Sequence, residues 1–210
     1  MMGIISRSTP VERTLRELDK ARDVVGRWES EHAAKFAELA DLESRIGEEV
    51  LADETAVARL SAEAQRLRAE VDVAARTVSA ATPKVTDAGR AVLKAHSAAL
   101  KANADHLRAE VEQRQAKTDK LLAELSAWEG GAEYRPFEPH HDDVVAAGAA
   151  GIRYTIPRTE ALRRQVARLE AQARKWHQHA EDSPEQVADH VARLVASADA
   201  KPPAPLTVPV

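Results

Sequence analysis

Apolar residues recur along the first part of the chain at alternating intervals of three and four, the spacing of a helix that packs on one side. Followed as heptads, Leu15, Phe36, Val50, Val57, Ala64, Val71 and Val78 take one seam position, and Leu18, Val25, Leu39, Ile46, Leu60, Leu67, Ala74 and Ala81 take the other. The frame needs no skip and predicts one helix over 10–81, although it also sets Arg22, Glu29, His32, Glu43 and Asp53 on the seam. Packing should therefore be poor before residue 54 and good after it. Gly26 and Gly47 each cost roughly 1 kcal/mol against Ala inside a helix, but the frame survives both.

Three dipeptides carry a helix-start signal: Thr9-Pro10, Thr82-Pro83 and Ser183-Pro184. The hydroxyl caps an orphan backbone N–H, and proline fits the first helical position because it has no N–H to lose. Glu12 after Thr9 and Gln186 after Ser183 complete capping boxes. A second heptad run of Leu93, Leu100, Leu107, Arg114, Leu121 and Trp128, with Ala104, Val111 and Leu125 beside it, predicts a helix over 84–128. Between the runs, Pro83 and Gly89 predict a reversal near 82–88. The alternative is a kinked but continuous rod that pairs with a second copy.

Further along, Leu162, Val166, Leu169, Ala173 and Trp176 form the stripe of a helix over 158–181, and Val187, Val191 and Leu194 that of a helix over 184–198. Residues 199–210, rich in proline, predict an extended and disordered tail. The fold expected is all-α: an elongated antiparallel coiled-coil hairpin over 10–128 after a stub of residues 1–9, a loop over 129–157, an additional shorter helical pair over 158–198, and the Pro-rich C-terminal tail.

Composition agrees with seams rather than a thick core, since 210 residues contain only three Trp, two Tyr and two Phe. There is no cysteine, which removes disulfides, thiolate metal sites and a thiol nucleophile from consideration. The apolar stub at the N-terminus is too short for a secretory signal, and Val144–Ile152, the longest apolar run, is less than half a bilayer span. A soluble protein is expected, cytoplasmic by default. The net charge of −4 argues against the whole chain binding nucleic acid. Basic residues nevertheless collect at Arg158, Arg163, Arg164, Arg168, Arg174 and Lys175, and acidic ones between Glu38 and Glu54. The basic helix is expected to fold onto that acidic window.

Trp128-Glu129-Gly130-Gly131 should end the second helix, because glycine permits the backbone that lets a helix stop. Trp128, Tyr134, Phe137 and Tyr154 then cluster between 128 and 154, as in an ordered hinge that packs on the rod and offers a docking surface. His140, His141, Asp142 and Asp143 are metal-ligating types, but adjacent side chains diverge. A closed shell would need Glu138, or His177 and His179, which are two apart on a helix and diverge as well, so the segment reads first as a polar loop and no cofactor is expected. The partner-binding candidates are Trp128, Tyr134, Phe137, Arg163, Arg164, Arg168, Arg174, Lys175 and Trp176. Trp176 lies on the apolar stripe, which favours burial over stacking on a base.

No nucleophile motif, phosphate loop or H-E-x-x-H is present, and leucine–alanine seams offer no pocket to shift a carboxylate. Catalysis is not expected. Met2-Gly3-Ile4-Ile5-Ser6-Arg7 resembles the opening of membrane-remodelling phage-shock proteins, but Thr9-Pro10 then starts a coiled coil where that family needs an amphipathic membrane helix. Trp128-Glu129-Gly130 resembles the W-x-G turn of small secreted helical hairpins, yet it follows the hairpin here. The expected function is that of a scaffold or adaptor joined to a protein partner or to itself through helix contacts, a class that includes assembly scaffolds of viral or mobile-element particles. The alternative is an adaptor on a membrane surface or nucleic acid, using the basic helix 158–176.

Overall fold

The computed structural model describes residues 9–53, 55–131 and 158–199. These residues form four helices and no strand: α1 (Pro10–Ala52), α2 (Ala56–Trp128), α3 (Arg158–His179) and α4 (Pro184–Asp199). The chain is all-α, and α1 with α2 makes a helical hairpin. The stub, the loop 132–157 with its aromatics, and the tail lie outside the described residues.

Two of the three capping signals act as the sequence predicts. At Thr9, the hydroxyl accepts from the Glu12 N–H at 3.2 Å while the Glu12 carboxylate accepts from the Thr9 N–H at 2.8 Å. Ser183 and Gln186 repeat this at the start of α4. Each such cap stabilises its helix by about 1 kcal/mol.

The third signal does not act. The reversal expected at 82–88 occurs at 53–55, and α2 runs straight through Pro83. Pro83 removes a helical hydrogen bond and crowds the preceding turn, a cost of about 3 kcal/mol. The Thr82 hydroxyl donates to the Val78 carbonyl at 2.9 Å instead of capping. Burial on both sides of the proline, at Ala81 and at Val92 and Leu93, keeps the helix together. Gly89, read as a second breaker, has another use: a Cβ there would stand 3.1 Å from Val187 Cγ1, so its absence lets α4 approach α2.

The actual turn is built by Asp53. Its backbone is extended, and its Oδ1 accepts from the Thr55 N–H at 2.9 Å and the Thr55 hydroxyl at 2.7 Å. These bonds hold the Asp53 carboxyl below its usual range. Its carbonyl accepts from the Ala56 N–H as α2 begins.

Beyond the turn the helices are antiparallel, as the descending partners of α1 show: Lys35 with Glu70, Glu43 with Arg68 and Glu49 with Arg59. Leu39, Leu42, Ala56, Leu60, Ala64 and Leu67 form one buried cluster, flanked by Ile46 and Val50. One seam series of α1 is the expected one, through Leu18, Leu39 and Ile46. The other lies one residue earlier than expected, so that Leu42 is 4% exposed while Phe36 is 58% exposed. This shift moves Arg22, Glu29 and Glu43 off the seam, and the buried residues of α1 are Leu18, Leu39 and Leu42, so packing before residue 54 is sparse, as expected.

The chain divides into two compact units, residues 1–95 with 177–210 and residues 96–176. In the first, α4 buries Val187, Val191 and Leu194. A small cavity of about 40 Å³ lies among Leu18, Val85, Gly89 and Val191. In the second, α3 lies antiparallel to α2: Ser97 donates to the Ala173 carbonyl at 2.8 Å, Arg108 pairs with Glu170, and Arg163 donates to Gln115 at 3.3 Å. Within the first unit, Lys35, Arg45, Arg59 and Arg68, on α1 and α2, pair with carboxylates of the acidic window between Glu38 and Glu54.

Helix α2 stops as read from its glycines. Gly130 and Gly131 have φ of 74° and 96°, and the Gly131 N–H bonds to the Ser126 carbonyl at 2.8 Å, the Schellman arrangement. No helix among the described residues is long and apolar enough to cross a membrane.

Candidate functional site

Among the described residues, a group of two histidines and a carboxylate gathers where α3 gives way to α4. Helix α3 ends at His179, and the chain turns through Ala180, Glu181 and Asp182, whose N–H groups each donate three residues back, to the carbonyls of His177, Gln178 and His179. Ala180 is fully buried and anchors the elbow. Ser183 then caps α4, whose second turn presents His190 back toward the elbow.

Three elements thus deliver one side chain each to one point. His179 Nδ1 lies 3.0 Å and His190 Nε2 lies 3.1 Å from the same oxygen, Asp182 Oδ2. The two imidazoles stack with centroids 3.6 Å apart and planes 26° apart. The hydrogen bond from His179 is the chief cause that holds the Asp182 carboxyl below its usual range, and that from His190 adds to it. Next to it, Glu181 is lowered by its hydrogen bond with Lys94 of α2, at 2.8 Å. As a carboxylate, Asp182 accepts an N–H from each ring and joins the two helices.

Sequence reasoning named His179 only as a distant helper for His140 and His141 and did not name Asp182 or His190. The signal was present: Ser183-Pro184 fixes where α4 begins, which places His190 two turns in and on the side of the cap. His140, His141, Asp142, Asp143, Tyr134 and Phe137 lie outside the described residues.

On α3 the named cations are exposed. Arg163 reaches Gln115 and Arg164 pairs with Glu160 on its own helix. Arg168, Arg174 and Lys175 have no carboxylate partner among the described residues. Trp176 stands on the opposite, apolar stripe, edge-to-face with His96 at 5.5 Å. The structure thus separates it from the basic face. Burial holds His96 below its ordinary 6.5, which favours the neutral ring.

Trp128, expected as the last seam residue of α2, is 85% exposed, beside Leu121 at 64% and Leu125 at 37%. The three share a face by their spacing of four and three. This face continues the seam that α3 fills from Ser97 to Gln115. No family model matches the chain, and no curated protein or solved structure matches it.

Proposed function

We propose that the chain is a non-enzymatic helical scaffold or adaptor that works through helix-to-helix contacts, with the last turns of α2 as its contact edge. The observation that carries this reading is the exposed stripe of Leu121, Leu125 and Trp128. Full burial of an exposed leucine is worth roughly 1.5–3 kcal/mol, so covering Leu121 and Trp128 gains most and covering Leu125, already partly covered, gains less. The stripe has the heptad spacing of the chain's own seams, so a second copy offers a surface of matching periodicity. An exposed tryptophan in an apolar patch is also a frequent source of binding energy.

Sedimentation velocity over a dilution series tests this reading. Reversible growth in mass with concentration supports it, and a single monomeric species at all concentrations contradicts self-association. A second reading draws on Arg168, Arg174 and Lys175, which lack carboxylate partners among the described residues and suit an anionic surface. Retardation of DNA, or retention on anionic vesicles, that fades as salt rises would favour that reading.

A further inference from the structure

We infer that His179, Asp182 and His190 form a site for a divalent transition metal of the zinc class, which clips the α3–α4 elbow. The ligand atoms of all three lie within 4.8 Å of one another. With bonds of about 2.0–2.1 Å, two ligand atoms on a tetrahedral zinc stand roughly 3.3 Å apart. The observed separations of 3.0 and 3.1 Å around Asp182 Oδ2 are already close to that edge.

The chemistry of the donor set selects the metal. Two imidazole nitrogens and one carboxylate suit zinc, cobalt or nickel, whereas calcium and magnesium prefer oxygen throughout. In the hydrogen-bonded arrangement His179 Nδ1 and His190 Nε2 each carry a proton toward Asp182. Coordination uses the lone pairs of those same nitrogens, so each ring moves its proton to its other nitrogen and no charge is lost from the imidazole. The metal then takes the place of two hydrogen-bonded protons beside one carboxylate. The rings must also fan apart, because stacked planes do not aim both lone pairs at one point.

The ligands come from the end of α3, the turn, and α4. A bound ion therefore ties two helices across a turn, and its binding energy adds to the stability of the elbow. Three protein ligands leave a fourth position for water, but the role inferred is structural. It rests on different residues from the α2 stripe and stands or fails separately from it.

The test is a zinc titration of the full chain without a histidine tag, followed by calorimetry and, with cobalt(II), by visible absorption. Native protein should take up one equivalent, show the intense bands of tetrahedral cobalt, and gain thermal stability with zinc. A His140→Ala/His141→Ala control should keep all three responses. His190→Ala and Asp182→Asn should each weaken binding by about tenfold or more and remove the thermal gain. Asp182→Asn preserves size and a hydrogen-bond acceptor, so it decides the matter should His190→Ala lose helical content by circular dichroism. Absence of uptake by native protein, unchanged affinity in Asp182→Asn, or loss only in the His140/His141 control would each overturn the site.

Discussion

Along the hairpin, Leu39, Leu42, Leu60 and Leu67 meet in one cluster, and Lys35, Arg59 and Arg68 reach across it to acids of the facing helix. Along the α2–α3 pair, the buried positions include Ala104, Val111 and Ala173, and a serine hydroxyl bonded to a backbone carbonyl. The first arrangement supplies its own large apolar partners on both sides. The second mixes Leu162 and Val166 of α3 with small residues and polar links, and its contact from Arg163 to Gln115 falls short of the exposed Leu121, Leu125 and Trp128. A seam that closes on itself gives stability, and one that runs past its partner gives a surface.

The largest expected effect comes from breaking the closed seam. Leu60→Ala should cost about 2–5 kcal/mol in urea denaturation, whereas Leu121→Ala should change folding by less than about 0.5 kcal/mol. Equal losses at both positions would erase the contrast. Next in size, Pro83→Ala should stabilise the chain by about 1–3 kcal/mol, because it restores an interior helical bond and relieves crowding. A chain that reversed at residue 83 would lose a favourable first-turn proline instead, and its midpoint would fall.

Glycine substitutions sharpen the comparison further. Gly26 has open space around its missing Cβ, so Gly26→Ala should raise stability by roughly 1 kcal/mol. At Gly89 the same propensity gain is opposed by the 3.1 Å approach of Val187, and Gly89→Ala should fall short of Gly26→Ala in thermal melts. The smallest effect is a pH dependence of the α2–α3 pair. His96 has a folded pKa below its ordinary 6.5, so between the two values the unfolded chain binds more protons. Stability conferred by the neutral ring is full above 6.5 and declines as pH falls below it. Half burial and solvent screening keep the change small, and His96→Phe should flatten it in melts taken from pH 7 to pH 5.

Much of this architecture was legible in residue patterns, and the misreadings have physical causes. Thr9-Pro10 and Ser183-Pro184 act through local bonds alone, so they could be read without any tertiary knowledge. Thr82-Pro83 carries the same local signal, but burial of Ala81, Val92 and Leu93 outweighs it. The turn at Asp53 leaves no mark on the seam pattern, because Leu60 falls fourteen residues after Ile46 and the heptad phase passes through the reversal unchanged. An unbroken frame does not establish an unbroken helix. At the elbow, Ser183-Pro184 places His190 on the side of the cap, but only the meeting of α3, the turn and α4 brings it together with His179 and Asp182.

The most direct measurement is light scattering of the native chain beside Leu121→Asp/Leu125→Asp, at matched concentration and with melting temperatures taken on the same samples. If the end of α2 is a contact edge between copies, the native chain exceeds its monomer mass, and the double variant returns to it with an unchanged melting temperature. Equal masses for the two proteins would contradict it, and a monomeric native chain whose variant also melts earlier would show that the chain covers the stripe itself.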